Sequence, residues 1–187
     1  MPEKDDALTK IEYTVDYRNV KYPRLEFKTG NLLLVLPKDH EGETTILEKH
    51  QEWIAKKEQL IKQALIMAEG KTLNFERSVE DLKQIIYSTV QTYKKEMQLK
   101  VNEVFFRRMR TKWASYSTKR NLTINTLLRY LPKDLIEYIV FHEMTHSIER
   151  KHNERFWKIV NEKFKDSQTK ENDLLVHWFL IQKMISK

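Results

Sequence analysis

Three of the six histidines in this chain, His142, His146 and His152, fall within one stretch, IEYIVFHEMTHSIERKHNERFW at residues 136–157, and Glu143 directly follows the first of them. A scatter of surface histidines does not produce such a cluster. His142 and His146 are spaced i, i+4. In a helix, four residues turn about 400° and rise about 6 Å, so both rings leave the same face and can reach one metal ion. Glu143 stands about 100° further round. That is too far for a third ligand in the same plane, but it suits a carboxylate meeting a water on the ion.

This is the HExxH arrangement of zinc peptidases. Its apolar flank IEYIVF gives the helix a packing face. His152 lies six residues past His146, which on a straight helix is about 240° round, on the wrong face. Asn153, however, reads as the N-cap of a new helix. A bend between 149 and 152 would return His152 to the site as a third ligand. Three protein ligands with an open fourth position is the catalytic zinc arrangement. A lone helical histidine is more often a packed or surface residue, and a metal site need not be catalytic. The pair with Glu143 and His152 outweighs both of those readings. Zinc is inferred from ligand type; cobalt, nickel or manganese suit similar donors.

The elements that must position these groups follow from periodicity. Residues 11–19 and 24–28 alternate, TGN makes a turn, and 32–36 (LLLVL) is a short apolar strand, so the N-terminal part is expected to be a small antiparallel sheet. A long amphipathic helix is expected from Thr44 to about Glu69, with Gly70 as its stop. Ser78 caps a second helix, about 79–99. Strands are expected at 103–109 and 121–126, with Trp113 and Tyr116 in the loop between. Pro132 opens the HExxH helix, which should run to about Arg150. Further helices follow Asn153 and cover about 172–185. Trp113, Phe156 and Trp157 read as core, His177 as a packed histidine, and His40 and His50 as exposed.

The composition sets outer limits. The 187 residues suffice for one domain, or one domain plus a small appended unit. There is no cysteine, so any metal must be held by His, Asp or Glu. No apolar run approaches the roughly 18 residues of a spanning helix, and the charged start MPEKDDALTK does not read as a secretory signal. The expected setting is cytoplasmic, with no membrane partner. A net charge of +7 suits either a solvated basic surface or nucleic-acid contact.

The stretch RMRTKWASYSTKRNLTINTLLRYLPKDLIEYIVFHEMTHSIERKHNERFW, residues 108–157, resembles the YgjP-like metallopeptidase family, relatives of the SprT-like and WLM zinc peptidases; the resemblance covers about residues 100–160 and extends weakly to the N-terminal sheet and to HQEWI at 50–54. Arg110, Trp113, Ser115, Ser117, Pro132, His142, Glu143, His146, His152, Phe156 and Trp157 match its pattern. Ala114 stands where the family has glycine and Tyr116 where it has cysteine. Lys151 and Asn153 flank His152 in place of Asn and Ser. The resemblance implies an α+β, zincin-like domain with a small mixed sheet, zinc on His142, His146 and His152, and Glu143 as catalytic base.

The expected activity is zinc-dependent hydrolysis of peptide bonds in a protein or peptide substrate, with one zinc per chain. A developing oxyanion needs a donor besides the metal, and Arg110, Tyr116 and Tyr138 are the candidates. Strand 121–126 is expected beside the site, where it could pair with an extended substrate. Residues 1–70 are expected to form a sheet-plus-helix subdomain and 71–187 the peptidase domain. Two alternatives stand beside this reading: a nucleic-acid-associated protein using the basic surface, and a non-catalytic metal-binding interaction module.

Overall fold

Residues 32–36, LLLVL, have no polar side chain to offer water. In the computed structural model, which describes residues 13–28, 31–40, 42–68 and 70–185, they form the middle of β3 (Asn31–Pro37), and all five side chains are buried. A strand with two apolar faces belongs at the centre of a sheet. The strands β1 (Tyr13–Arg18) and β2 (Arg24–Lys28) take its two edges.

This sheet is mixed rather than antiparallel throughout. β2 runs antiparallel to β3, with Leu25 opposite Leu34, while β1 runs parallel to it, with Val15 opposite the same residue. Because β2 returns directly into β3, β1 on the far edge is left running in β3's own direction. Alternation assigns faces but is silent on direction. Ile11, Glu12 and the turn at Thr29 and Gly30 lie outside the described residues.

The long helix expected from Thr44 is two helices, α1 (Glu43–Lys49) and α2 (Gln51–Ala68). They are divided at His50, whose φ of −112° and ψ of 13° leave the helical region. Glu69 lies outside the described residues. The chain forms two compact units, one through Gln63 and one from Ala64. In the first, Trp53 of α2 packs on Phe27 of β2 with ring centroids 5.8 Å apart.

The second unit is built around α3 (Val79–Glu96). Ser78 caps it through a reciprocal box with Asp81. Its stripe of Leu82, Ile86, Val90 and Tyr93 is buried. A second three-stranded sheet follows: β4 (Val104–Arg107), β5 (Ala114–Tyr116) and β6 (Leu122–Asn125), ordered β4-β6-β5. β4 is parallel and β5 antiparallel to β6.

After a 3-10 turn at Thr126–Tyr130 come α4 (Lys133–Thr145), α5 (Glu154–Lys163) and α6 (Ser167–Ile185). The last begins earlier than expected because its opening turn, SQTKEN, is polar and carries no periodic signal. Ile136, Val140 and Met144 of α4 are fully buried. Phe141 meets Tyr93 edge-on at 5.1 Å. Each buried aliphatic side chain contributes about 1.5–3 kcal/mol, enough to hold the HExxH helix in the core. The architecture is α+β. Among the described residues no helix is long and apolar enough to cross a membrane.

Asn125, at the end of β6, is fully buried and hydrogen-bonded on every side. Its Nδ2 donates to the carbonyls of Met109 (3.0 Å) and Lys112 (2.7 Å). Its Oδ1 accepts from the N–H groups of Met109 (3.2 Å) and Leu127 (3.1 Å). One amide thus fixes the path of the loop leading into β5.

Candidate metal centre

α4 stops at Thr145, short of the Arg150 expected from the sequence, with His146 as its C-cap. The Thr145 hydroxyl donates to the Phe141 carbonyl at 2.9 Å, competing with the helix's own bonding. The N–H groups of Ile148 and Glu149 both turn back to the Thr145 carbonyl, at 2.9 and 3.0 Å. The chain then reverses, and Asn153 caps α5 by accepting from the Phe156 N–H at 3.1 Å. The reversal swings His152 onto the face that already carries His142 and His146. The Nε2 atoms of His142 and His152 lie 2.9 Å apart, and one ring nitrogen from each of the three histidines lies within 4.8 Å of the others.

Two of the rings are oriented from behind. His146 Nδ1 lies 3.1 Å from the Glu149 carbonyl, which only accepts. Nδ1 therefore carries the hydrogen, and Nε2 keeps its lone pair for a metal. Nδ1 of His142 is 3.5 Å from Glu171 Oε1 on α6, and the Tyr138 hydroxyl donates to the same oxygen at 2.6 Å. Carboxylates in this position hold and polarise metal-binding imidazoles. Beneath all three rings lies Phe156, fully buried, with centroid separations of 4.9, 4.8 and 4.6 Å from His142, His146 and His152.

The electrostatics suit cation binding. Burial pushes His146 and His152 below the usual imidazole range, toward the neutral form that ligates metals. Burial pushes the Glu171 carboxyl up, yet hydrogen bonds from His142 and Tyr138 outweigh this and keep it below its usual range, charged. For Glu143, burial wins: its carboxyl is raised, opposed only in part by His142, by the Tyr116 backbone N–H that it accepts, and by the charge of Lys112. A set of three imidazoles without thiolate fits a borderline divalent ion such as zinc, rather than oxygen-seeking calcium or magnesium.

The three histidines and Glu143 line one wall of a cavity of about 670 Å³, and β5 lines another. Here one expectation is corrected. Residues 122–125 form the central strand β6, paired on both edges, so they have no free edge for a substrate. The strand beside the site is β5, too short at three residues to show in the sequence. The Trp113 carbonyl and the Ser117 N–H serve the hairpin with β6. By alternation, the main-chain groups of Ala114 and Tyr116 then point the other way, consistent with the Tyr116 N–H reaching Glu143.

Of the other singled-out residues, Tyr116 borders the cavity, with its hydroxyl donating to the Lys100 carbonyl at 2.9 Å. Arg110 is exposed and is not on the cavity wall. Tyr138 is fully buried and faces Glu171 instead. Trp113 borders the cavity and meets Trp178 edge-on at 4.8 Å. His177 is packed, its Nδ1 donating to the Asp173 carbonyl at 2.7 Å. Glu171, twenty-five positions beyond His146, carries no local sequence signal; only the approach of α6 to α4 reveals it.

No curated protein matches the chain. Among solved structures, the metallopeptidase zymogen jannalysin of Methanocaldococcus jannaschii is 24% identical, over 56% of this chain and 97% of its own, with a TM-score of 0.42. The zymogen abylysin of Pyrococcus abyssi is 22% identical, over 46% and 87%, with a TM-score of 0.41. Residues 75–177, more than half of the chain, match the model of the YgjP-like metallopeptidase domain, a match that contains the entire histidine cluster. The chain belongs to the YgjP-like metallopeptidase family.

Proposed function

We propose that the protein is a zinc-dependent peptidase with His142, His146 and His152 as metal ligands and Glu143 as general base. The observation that carries this reading is the convergence of three mutually close imidazoles and one raised carboxyl on the same cavity wall. Zinc held by the three rings supplies Lewis-acid polarisation of a carbonyl and acidifies a water. Glu143 takes the proton of the attacking water on its carboxylate and passes it to the leaving amine. A carboxyl raised by burial suits that shuttle, because its proton affinity lies nearer neutrality.

An extended peptide adds to the free edge of β5, using the outward main-chain groups of Ala114. Of the three oxyanion candidates only Tyr116 borders the cavity, and because its hydroxyl donates to the Lys100 carbonyl it serves only by exchanging that bond. Residues 71–187 form the catalytic part in this reading, and they contain the family match. The test is Glu143→Gln beside the double variant His142→Ala/His146→Ala, with zinc content and hydrolysis of an unfolded protein measured on each. Glu143→Gln keeps about one zinc per chain and loses hydrolysis; the double variant loses both. Unchanged turnover in Glu143→Gln sinks the assignment.

A further inference from the structure

The cavity that holds the histidines is lined by three cations from three separate segments. Lys112 precedes β5, Arg120 sits in the β5–β6 turn, and Arg150 follows α4. All three side chains are exposed. Among the described residues, no carboxylate lies within ion-pair distance of any of them. Among the described residues, Glu143 itself is the only carboxylate lining the cavity.

Arg120 adds an independent observation. Its φ is +59°, in the left-handed region. Its N–H donates to the Ser117 carbonyl and its own carbonyl accepts from the Asn102 N–H, each at 2.9 Å, so the turn is held in that conformation. Glycine fits there without strain, and a residue bearing a β-carbon does not. The turn keeps a long cationic side chain at a position whose backbone favours none. Strain retained beside a reactive site points to a use for the side chain.

We propose that the cleft selects acidic peptides, with Lys112, Arg120 and Arg150 receiving Asp or Glu side chains on either side of the bond to be cut. This deepens the peptidase reading and rests on it. Glu143 at the centre repels acidic side chains from the reacting position, while the three cations attract them to the flanks. An exposed ion pair changes affinity only by a factor of about two to five, so two or three together give about a tenfold preference in kcat/KM.

The experiment uses the full chain loaded with zinc and a proteome-derived peptide library, with cleavage positions read by mass spectrometry. Beside it, two fluorescein-labelled octapeptides, alanine alternating with glutamate or with glutamine, are titrated against Glu143→Gln by anisotropy. The expected result is an excess of Asp and Glu near the cleavage points and about tenfold tighter binding of the glutamate peptide, falling with added salt. Arg120→Gly and Arg150→Gln each reduce the preference severalfold, and Arg120→Gly does so with its melting temperature kept.

Cleavage with no charge preference overturns the proposal and leaves the peptidase reading standing. Selective binding of the glutamate peptide with no cleavage by the wild type sustains the acidic cleft and sinks the peptidase reading. Equal binding of both octapeptides, or a short DNA duplex displacing the glutamate peptide at far lower concentration, overturns the proposal.

Discussion

Glu171 Oε1 lies 3.5 Å from Nδ1 of His142, the ring nitrogen turned away from His152, and also accepts the Tyr138 hydroxyl at 2.6 Å. A carboxylate from the last helix thereby holds the orientation of a histidine on the HExxH helix.

Loss of that carboxylate should weaken metal binding without emptying the site. Outer partners of metal-binding histidines are typically worth about 10–100-fold in affinity. Glu171→Gln is expected near the lower end and Glu171→Ala near the upper, in competition titrations with a chromophoric chelator. Zinc affinity equal to wild type in both variants would show that the contact orients nothing.

Phe156 is the common floor of the three rings. Phe156→Ala should cost about 3–5 kcal/mol of stability, as large-to-small changes in cores do. It should also weaken zinc binding, because all three proposed ligands lose the surface that their rings pack on. Denaturant unfolding of the metal-free protein checks the first effect and chelator competition the second.

Asn125 should be among the most sensitive polar positions. Asn125→Ala leaves two carbonyls and two N–H groups without their partner in a buried place, at a cost of about 3 kcal/mol or more. Urea unfolding measures it. The loop carrying Lys112 and Trp113 should also become accessible to limited proteolysis, while wild type resists.

The Lys170 ammonium is nearly buried and bonds Asp134 at 2.8 Å, with Asp166 at 3.4 Å. Burial alone would raise the Asp134 carboxyl, but the Lys170 contact holds it below its ordinary 3.8. Its contribution is present above that value and lost as pH falls through the depressed one. Burial alone would lower the Lys170 ammonium, but its two carboxylates hold it above its ordinary 10.5. That contribution is present below 10.5 and lost as pH rises through the raised value. Compared with Lys170→Met, wild type should be most favoured at neutral pH and lose that advantage toward both pH 3 and pH 11. Thermal melts across that range would refute the coupling if the difference were flat.

The candidate site was legible wherever its logic is local. The i, i+4 pair, the Asn153 cap and the bend that returns His152 all lie within a dozen residues, and each has a mechanism readable from residue type. The Ser78 cap and the buried stripe of α3 are legible for the same reason. What escaped depends on packing between distant segments. Glu171 is one glutamate among many charged residues until α6 docks on α4. Asn125 looks like an ordinary strand residue until the loop at 109–112 folds round it. The direction of β1 and the edge position of β5 are properties of the sheet, not of the strands, and alternation cannot encode them. The division at His50 lies inside a run whose helical spacing continues on both sides.

All three histidines fall within eleven consecutive positions, while the carboxylate that orients the first comes from Glu171. The entropic cost of closing a ligand loop this short is small. In the proposed site, an ion would therefore meet its three histidines as soon as the turn between α4 and α5 forms. The orienting carboxylate joins only when the last helix is in place. On the proposed assignment, capture of a metal would depend on one helix–turn–helix, and its tight retention on completion of the fold.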